Sequence, residues 1–104
     1  MTPHPHTSGD WLVKAGQEEA FVQQWTTFAK CSAADAAGSR SFHLIQDEKN
    51  PQHFISFGEW GNTAAIDAWR AMPEFQKFFS RCRELCETVK AGNFSLRAKG
   101  GAGD

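Results

Sequence analysis

Segments of period two and segments of period 3.6 follow one another along this chain as strand–helix–strand–strand–helix–strand. That order predicts an α+β fold of the ferredoxin-like, split βαβ type with an antiparallel sheet. Two further observations support it. An Asn50-Pro51 turn separates two strand-like runs, SFHLIQ (41–46) and HFISFGEW (53–60), as in a hairpin. The run Phe75, Phe78, Phe79, Cys82, Leu85, Cys86, Val89 keeps a helical rhythm of three and four.

Taken in order, residues 1–9 (MTPHPHTSG) carry no periodicity and read as a flexible tail holding His4 and His6 in solvent. Residues 10–14 alternate as a short strand. Ala15-Gly16 turns the chain, and Gln17-Glu18-Glu19 gives a helix the acidic first turn its dipole favours. Phe21, Trp25 and Phe28 mark one apolar face of that helix to about Cys31, and residues 33–38 form a small-residue connector. After the hairpin, Asn62-Thr63 reads as an N-cap, with Ile66 and Trp69 on one face, and Pro73 restarts a helix at its first position. This last helix is expected to run until Gly92, before a strand holding Phe94 and Leu96. Residues 98–104 (AKGGAGD) read as a Gly-rich tail, leaving one domain over 10–97.

Helices on one face of such a sheet leave the other to water, and it should read polar. It does not: Ile45, Ile55 and Phe57 fall in the opposite phase from Phe42, Leu44, Phe54 and Trp60. Apolar residues in both phases imply that a second copy covers the open face, giving a homodimer.

Composition excludes several classes. A formal charge of -1 and pI near 6.4, with scattered cations, do not make a nucleic-acid surface. No apolar run approaches the roughly 18 residues of a membrane span, and the N-terminal residues lack the apolar core of a secretory signal. Three cysteines do not pair into a framework. A cytoplasmic protein with reduced thiols is expected.

Cys82 and Cys86 fall on the apolar stripe and read as small buried hydrophobes, so no metal site is expected. His43 sits mid-strand in phase with Ile45; it is either an interface residue or an acid/base near neutral pH. Arg83 borders the stripe and either snorkels to water or closes a pocket over an anionic oxygen. Four Trp and nine Phe without a single Tyr supply abundant flat apolar surface and no phenol. Trp69, Phe75, Phe78 and Phe79, with Trp11 and Trp25, are the candidate walls of a cavity between helices and sheet. Core filling is the competing account of the same residues. On the cavity reading, Trp60 serves packing, and Trp69→Phe should change stability by less than about 1.5 kcal/mol.

The runs GSRSFHLIQDEKNPQHFISFGEW and AAIDAWRAMPEF, with Gly16 after the first strand, resemble the antibiotic biosynthesis monooxygenase family over residues 10–97. The resemblance implies a dimeric ferredoxin-like α/β barrel. One branch of that family oxidises aromatic phenols with molecular oxygen, using neither metal nor flavin; another binds haem and opens its ring. Trp69 matches the pocket tryptophan of both. The haem branch's histidine falls here on Phe79 and its asparagine on Gly9, while the phenol-oxidising branch's tyrosine falls on Phe75. The resemblance thus implies a cofactor-independent monooxygenase acting on a small or polycyclic aromatic in a hydrophobic pocket. His43 and Arg83, neither of them carried over from a family motif, are the candidate catalytic groups. The alternatives are a ligand-binding or regulatory protein on the same fold and a haem-binding relative.

Overall fold

The computed structural model describes residues 5–101 and runs β1 (Pro5–Val13), α1 (Glu18–Asp35), β2 (Ser39–Gln46), β3 (His53–Trp60), α2 (Thr63–Ala71), α3 (Pro73–Glu84) and β4 (Cys86–Ser95). The strands form one antiparallel sheet in the order β2-β3-β1-β4. This is the predicted α+β, ferredoxin-like arrangement.

The local signals act as their chemistry requires. Gly16 turns the chain at a φ of 88°, a region open mainly to glycine. The Asn62 side chain accepts the Ala65 N–H at 2.8 Å and starts α2. Pro73 opens α3 at its first turn, where no partner for its missing N–H is needed. The inner sheet face meets the helices in a core that fully buries Val13, Phe21, Trp60 and Ile66. Each such side chain contributes about 1.5–3 kcal/mol through burial.

Three boundaries depart from the sequence reading. Residues 5–9 are not a tail but the first half of β1, paired with β3 from His6 to Leu12 and with β4 from Pro5 to Val13. His4 lies outside the described residues; His6 is a strand residue opposite Glu59 and Phe94. Their alternation is invisible because the inward positions hold Thr7 and Gly9 rather than apolar groups. Helix α1 continues to Asp35 through alanines of high helical propensity, and Gly38, at a φ of 87°, makes the turn that follows. Helix α3 stops at Glu84 rather than Gly92. The Leu85 N–H turns back to the Cys82 carbonyl at 3.1 Å, and the Leu85 carbonyl accepts Lys14 N–H at 2.9 Å. Cys86 and Val89 satisfy both helical and strand-like spacing, since β4 carries a register shift opposite Leu12 and Val13. Among the described residues no helix is long and apolar enough to cross a membrane.

The outer sheet face is mixed, as the phases predict. Ile45, Phe57 and Phe94 are 51%, 41% and 58% exposed. At its edge His53 is bracketed by two carboxylates, with Nε2 at 2.9 Å from Asp10 and Nδ1 at 3.2 Å from Asp47. The Asp47 hydrogen bond, followed by Asp10, holds the imidazolium above the usual histidine range despite some desolvation. Asp47 is held below the usual carboxylate range, first by the Lys49 N–H and then by His53. The raised His53 value stabilises the fold fully below about pH 6.5, and this contribution fades as pH rises through the folded value. The depressed Asp47 value acts in the opposite sense: its contribution is lost as pH falls below the usual carboxylate range. An NMR titration should place the His53 midpoint above about 6.5, and Asp47→Asn should bring it down. A midpoint unchanged by that substitution contradicts the assigned cause.

Candidate functional site

A cavity of ≈ 330 Å³ lies between the inner sheet face and the three helices. Its floor is made by small residues: Thr7 and Gly9 of β1, Ser56 and Gly58 of β3, and Ala91 of β4. Its walls are aromatic, with Trp25 and Phe28 from α1, Trp69 from α2, and Phe75 and Phe79 from α3. The rings brace one another. Trp69 and Phe75 stand 4.6 Å apart edge to face, Phe75 and Phe79 stack at 5.3 Å, and Phe79 meets Trp11 at 5.5 Å. Such pairs are worth about 0.5–1.5 kcal/mol beyond burial and fix ring orientation. Gln76, Ser80 and Arg83 of α3 are exposed lining residues, which puts solvent access along this helix.

The floor repeats one local device. Gly9-Asp10-Trp11 in β1 and Gly58-Glu59-Trp60 in β3 each place an indole two residues beyond a glycine. Gly9 pairs with Ser56, and Trp11 Nε1 donates to Ser56 Oγ at 3.0 Å. Gly58 pairs with Thr7, and Trp60 Nε1 donates to Thr7 Oγ1 at 3.2 Å. Both glycines are required by space. A Cβ on Gly9 would lie 2.6 Å from Trp11 Nε1 and 2.7 Å from Ser56 Oγ; one on Gly58 would lie 2.5 Å from Thr7 Oγ1. A third pair comes from the helices, where Trp69 Nε1 donates to Ser32 Oγ at 2.9 Å.

Trp11, Trp25, Trp69, Phe75, Phe79 and Arg83, all singled out by the sequence, line this one cavity. Two candidates do not. Phe78 lies off the main cavity, beside Lys77 and Arg81 at 5.5 and 5.7 Å, and borders only a crevice of ≈ 10 Å³. His43 is exposed opposite Phe57, on the sheet face away from the cavity. Strand alternation puts its neighbours Phe42 and Leu44 inward and His43 outward, so it does not fit an acid/base role inside this cavity. Thr7, Ser32, Ser56, Phe28 and Arg70 also line the space. The twice-repeated Gly-acid-Trp triplet is the sequence signal that marks the floor.

The ionisable lining side chains are Arg70 and Arg83, both permanently cationic, so the site favours negative charge. Burial pushes the Cys82 thiol up to about 12, with Cys86 adding to the shift, and burial takes the Cys86 thiol to about 11. Protonated and buried, neither offers a thiolate. Among the described residues no cluster of three or more His, Cys, Asp or Glu could hold a metal. Haem does not fit the residues present: Phe79 presents a hydrocarbon ring, and the lining holds no His, Cys, Met or Tyr.

Over residues 10–81 the chain matches the antibiotic biosynthesis monooxygenase family. It is 30% identical over 78 residues to the uncharacterised protein sll1783 of Synechocystis sp., covering 75% of this chain and 52% of that protein. The chain therefore spans about half the length of this relative. SnoaB from Streptomyces nogalater, described as a cofactor-independent oxygenase, superposes with a TM-score of 0.85 at 18% identity, over 93% of this chain and 96% of its own. PA3566 from Pseudomonas aeruginosa superposes with a TM-score of 0.77 at 20% identity, over 94% and 98%. Those two likenesses concern the fold. With the matched residues running from the second half of β1 through most of α3, including the tryptophan-lined cavity wall, this chain belongs to the antibiotic biosynthesis monooxygenase family.

Proposed function

We propose that the cavity binds a hydroxylated aromatic of two or three fused rings, and that the protein oxidises it with molecular oxygen without a cofactor. The observation that carries this reading is the aromatic-walled cavity of ≈ 330 Å³ whose ionisable lining groups are two arginines. An engineered apolar cavity of about 150 Å³ accepts benzene, so roughly twice that volume suits two or three rings. SnoaB, of the same fold, is described as a cofactor-independent oxygenase, which supports the reaction class.

In this reading, Arg83 or Arg70 stabilises the substrate as its phenolate, and the walls hold the ring away from water. The electron-rich anion then reduces oxygen directly. For a phenol becoming a quinone, one oxygen atom joins the ring and the other leaves as water with two substrate hydrogens. The substrate supplies all four electrons. No lining side chain is a base near neutral pH, so the phenolic proton passes to water at the mouth. That same lack of a base favours a second reading, a ligand-binding protein without turnover.

Anthrone separates the two. Oxygen consumption matching anthraquinone formation, above the protein-free rate and reduced by Arg83→Gln, supports the oxygenase. Binding with oxygen consumption at the protein-free rate supports the binding protein.

We also infer a homodimer through the outer sheet face, where Ile45, Phe57 and Phe94 are exposed. A species of only 11.6 kDa in sedimentation at micromolar concentration contradicts it. The three free thiols, Cys31, Cys82 and Cys86, fit a reducing, cytoplasmic setting.

A further inference from the structure

Three side-chain hydroxyls around the cavity share an unusual condition. Thr7, Ser32 and Ser56 are 7%, 6% and 8% exposed, and they are the buried polar residues of the described chain. All three line the cavity. Each accepts an indole N–H, from Trp60, Trp69 and Trp11 respectively, at 2.9–3.2 Å. A hydroxyl that accepts in this way keeps its own hydrogen to donate. None of the three is the donor in any hydrogen bond shown among the described residues. Ser32 therefore differs from Thr26 and Thr27 on the same helix, which donate to the Val22 and Gln23 carbonyls.

Two features frame the floor pair. The strand position opposite each hydroxyl is a glycine, Gly9 facing Ser56 and Gly58 facing Thr7. Any larger residue would run into the hydroxyl itself. The indoles meanwhile occupy an acceptor site on each oxygen, which leaves the remaining hydrogen free to rotate toward a ligand. A buried donor facing apolar walls is costly until an acceptor arrives.

We propose that Thr7, Ser56 and Ser32 are the specificity-determining residues of the cavity, a set of indole-oriented donors selecting ligands that carry carbonyl or phenolate oxygens. The inference rests on the cavity being the ligand site, and it deepens that reading. It implies preference for acceptor oxygens over both bare hydrocarbon and groups that must themselves donate. In the oxidation proposed above, both the phenolate entering and the quinone leaving satisfy this condition.

Fluorene and 9-fluorenone test it, because they share one shape and differ by a carbonyl oxygen. Isothermal titration of the full chain should show fluorenone binding about tenfold more tightly than fluorene, as expected for one net hydrogen bond. Ser56→Ala or Thr7→Val should remove about tenfold from fluorenone affinity while leaving fluorene within about twofold. Ser56→Thr and Thr7→Ser keep the hydroxyl, so both should retain the preference even if the deletion variants prove unstable. Fluorene bound as tightly as fluorenone by the wild type overturns this inference and leaves the cavity reading intact. Neither compound binding overturns both. Equal losses for the two ligands in the deletion variants assign the hydroxyls to support of the indoles, which also overturns the inference.

Discussion

Trp60→Ala should destabilise the protein by about 3–5 kcal/mol, the range for deleting a buried aromatic. Trp60 is fully buried, stands 4.8 Å from Trp69 and 5.7 Å from Phe42, and donates to Thr7 at 3.2 Å. Deletion leaves a void behind the cavity wall and removes the indole that orients one floor hydroxyl. For a domain whose total stability is about 5–15 kcal/mol, much of the folded population is then at risk. Urea denaturation followed by circular dichroism measures the loss. A change below about 1.5 kcal/mol would show that the site collapses around the vacancy and that Trp60 is not a keystone of the inner face.

Trp69→Phe should separate ligand affinity from folding, with a larger folding cost than the sequence suggests. The sequence reading treats the change as nearly volume-conserving. In the structure Trp69 donates to Ser32 at 2.9 Å and packs against Phe28, Phe42, Trp60 and Phe75. Phenylalanine keeps an apolar ring but loses that donor and part of the stacking area. A destabilisation of about 1–3 kcal/mol follows from the lost hydrogen bond and underfilled space. Affinity for fluorene should fall about tenfold, because the ring lines the cavity directly. A thermal melt beside a titration on folded protein measures both. If affinity per folded molecule is unchanged, Trp69 belongs to the core alone and the binding wall lies elsewhere.

The sequence by itself determined the elements whose signals are local. The Asn62 cap, the Pro73 restart, the Gly16 turn and the hairpin around Asn50-Pro51 all depend on chemistry within a few residues. The phases of Ile45, Phe57, Phe42 and Trp60 likewise revealed both sheet faces, because a strand alternates whatever surrounds it. Most of the aromatic wall was legible for the same reason, since helical spacing puts Phe75 and Phe79 on one side of α3. What only the tertiary structure decided is where space was left empty. The first half of β1 passes for a tail because its inward positions are Thr7 and Gly9, and no hydrophobic count finds a strand built to line a void. Helix α3 gives way to β4 at Cys86 because strand pairing with β1 overrides a spacing that suits both conformations. His43 shares its phase with Ile45 and lies on the outer face, as its interface alternative has it; only the closure of the helices over the other face shows that the cavity is out of its reach. The three hydroxyl–indole pairs join residues 37, 45 and 53 positions apart; hydrogen bonds across that separation exist only once the sheet has paired and the helices have closed over it.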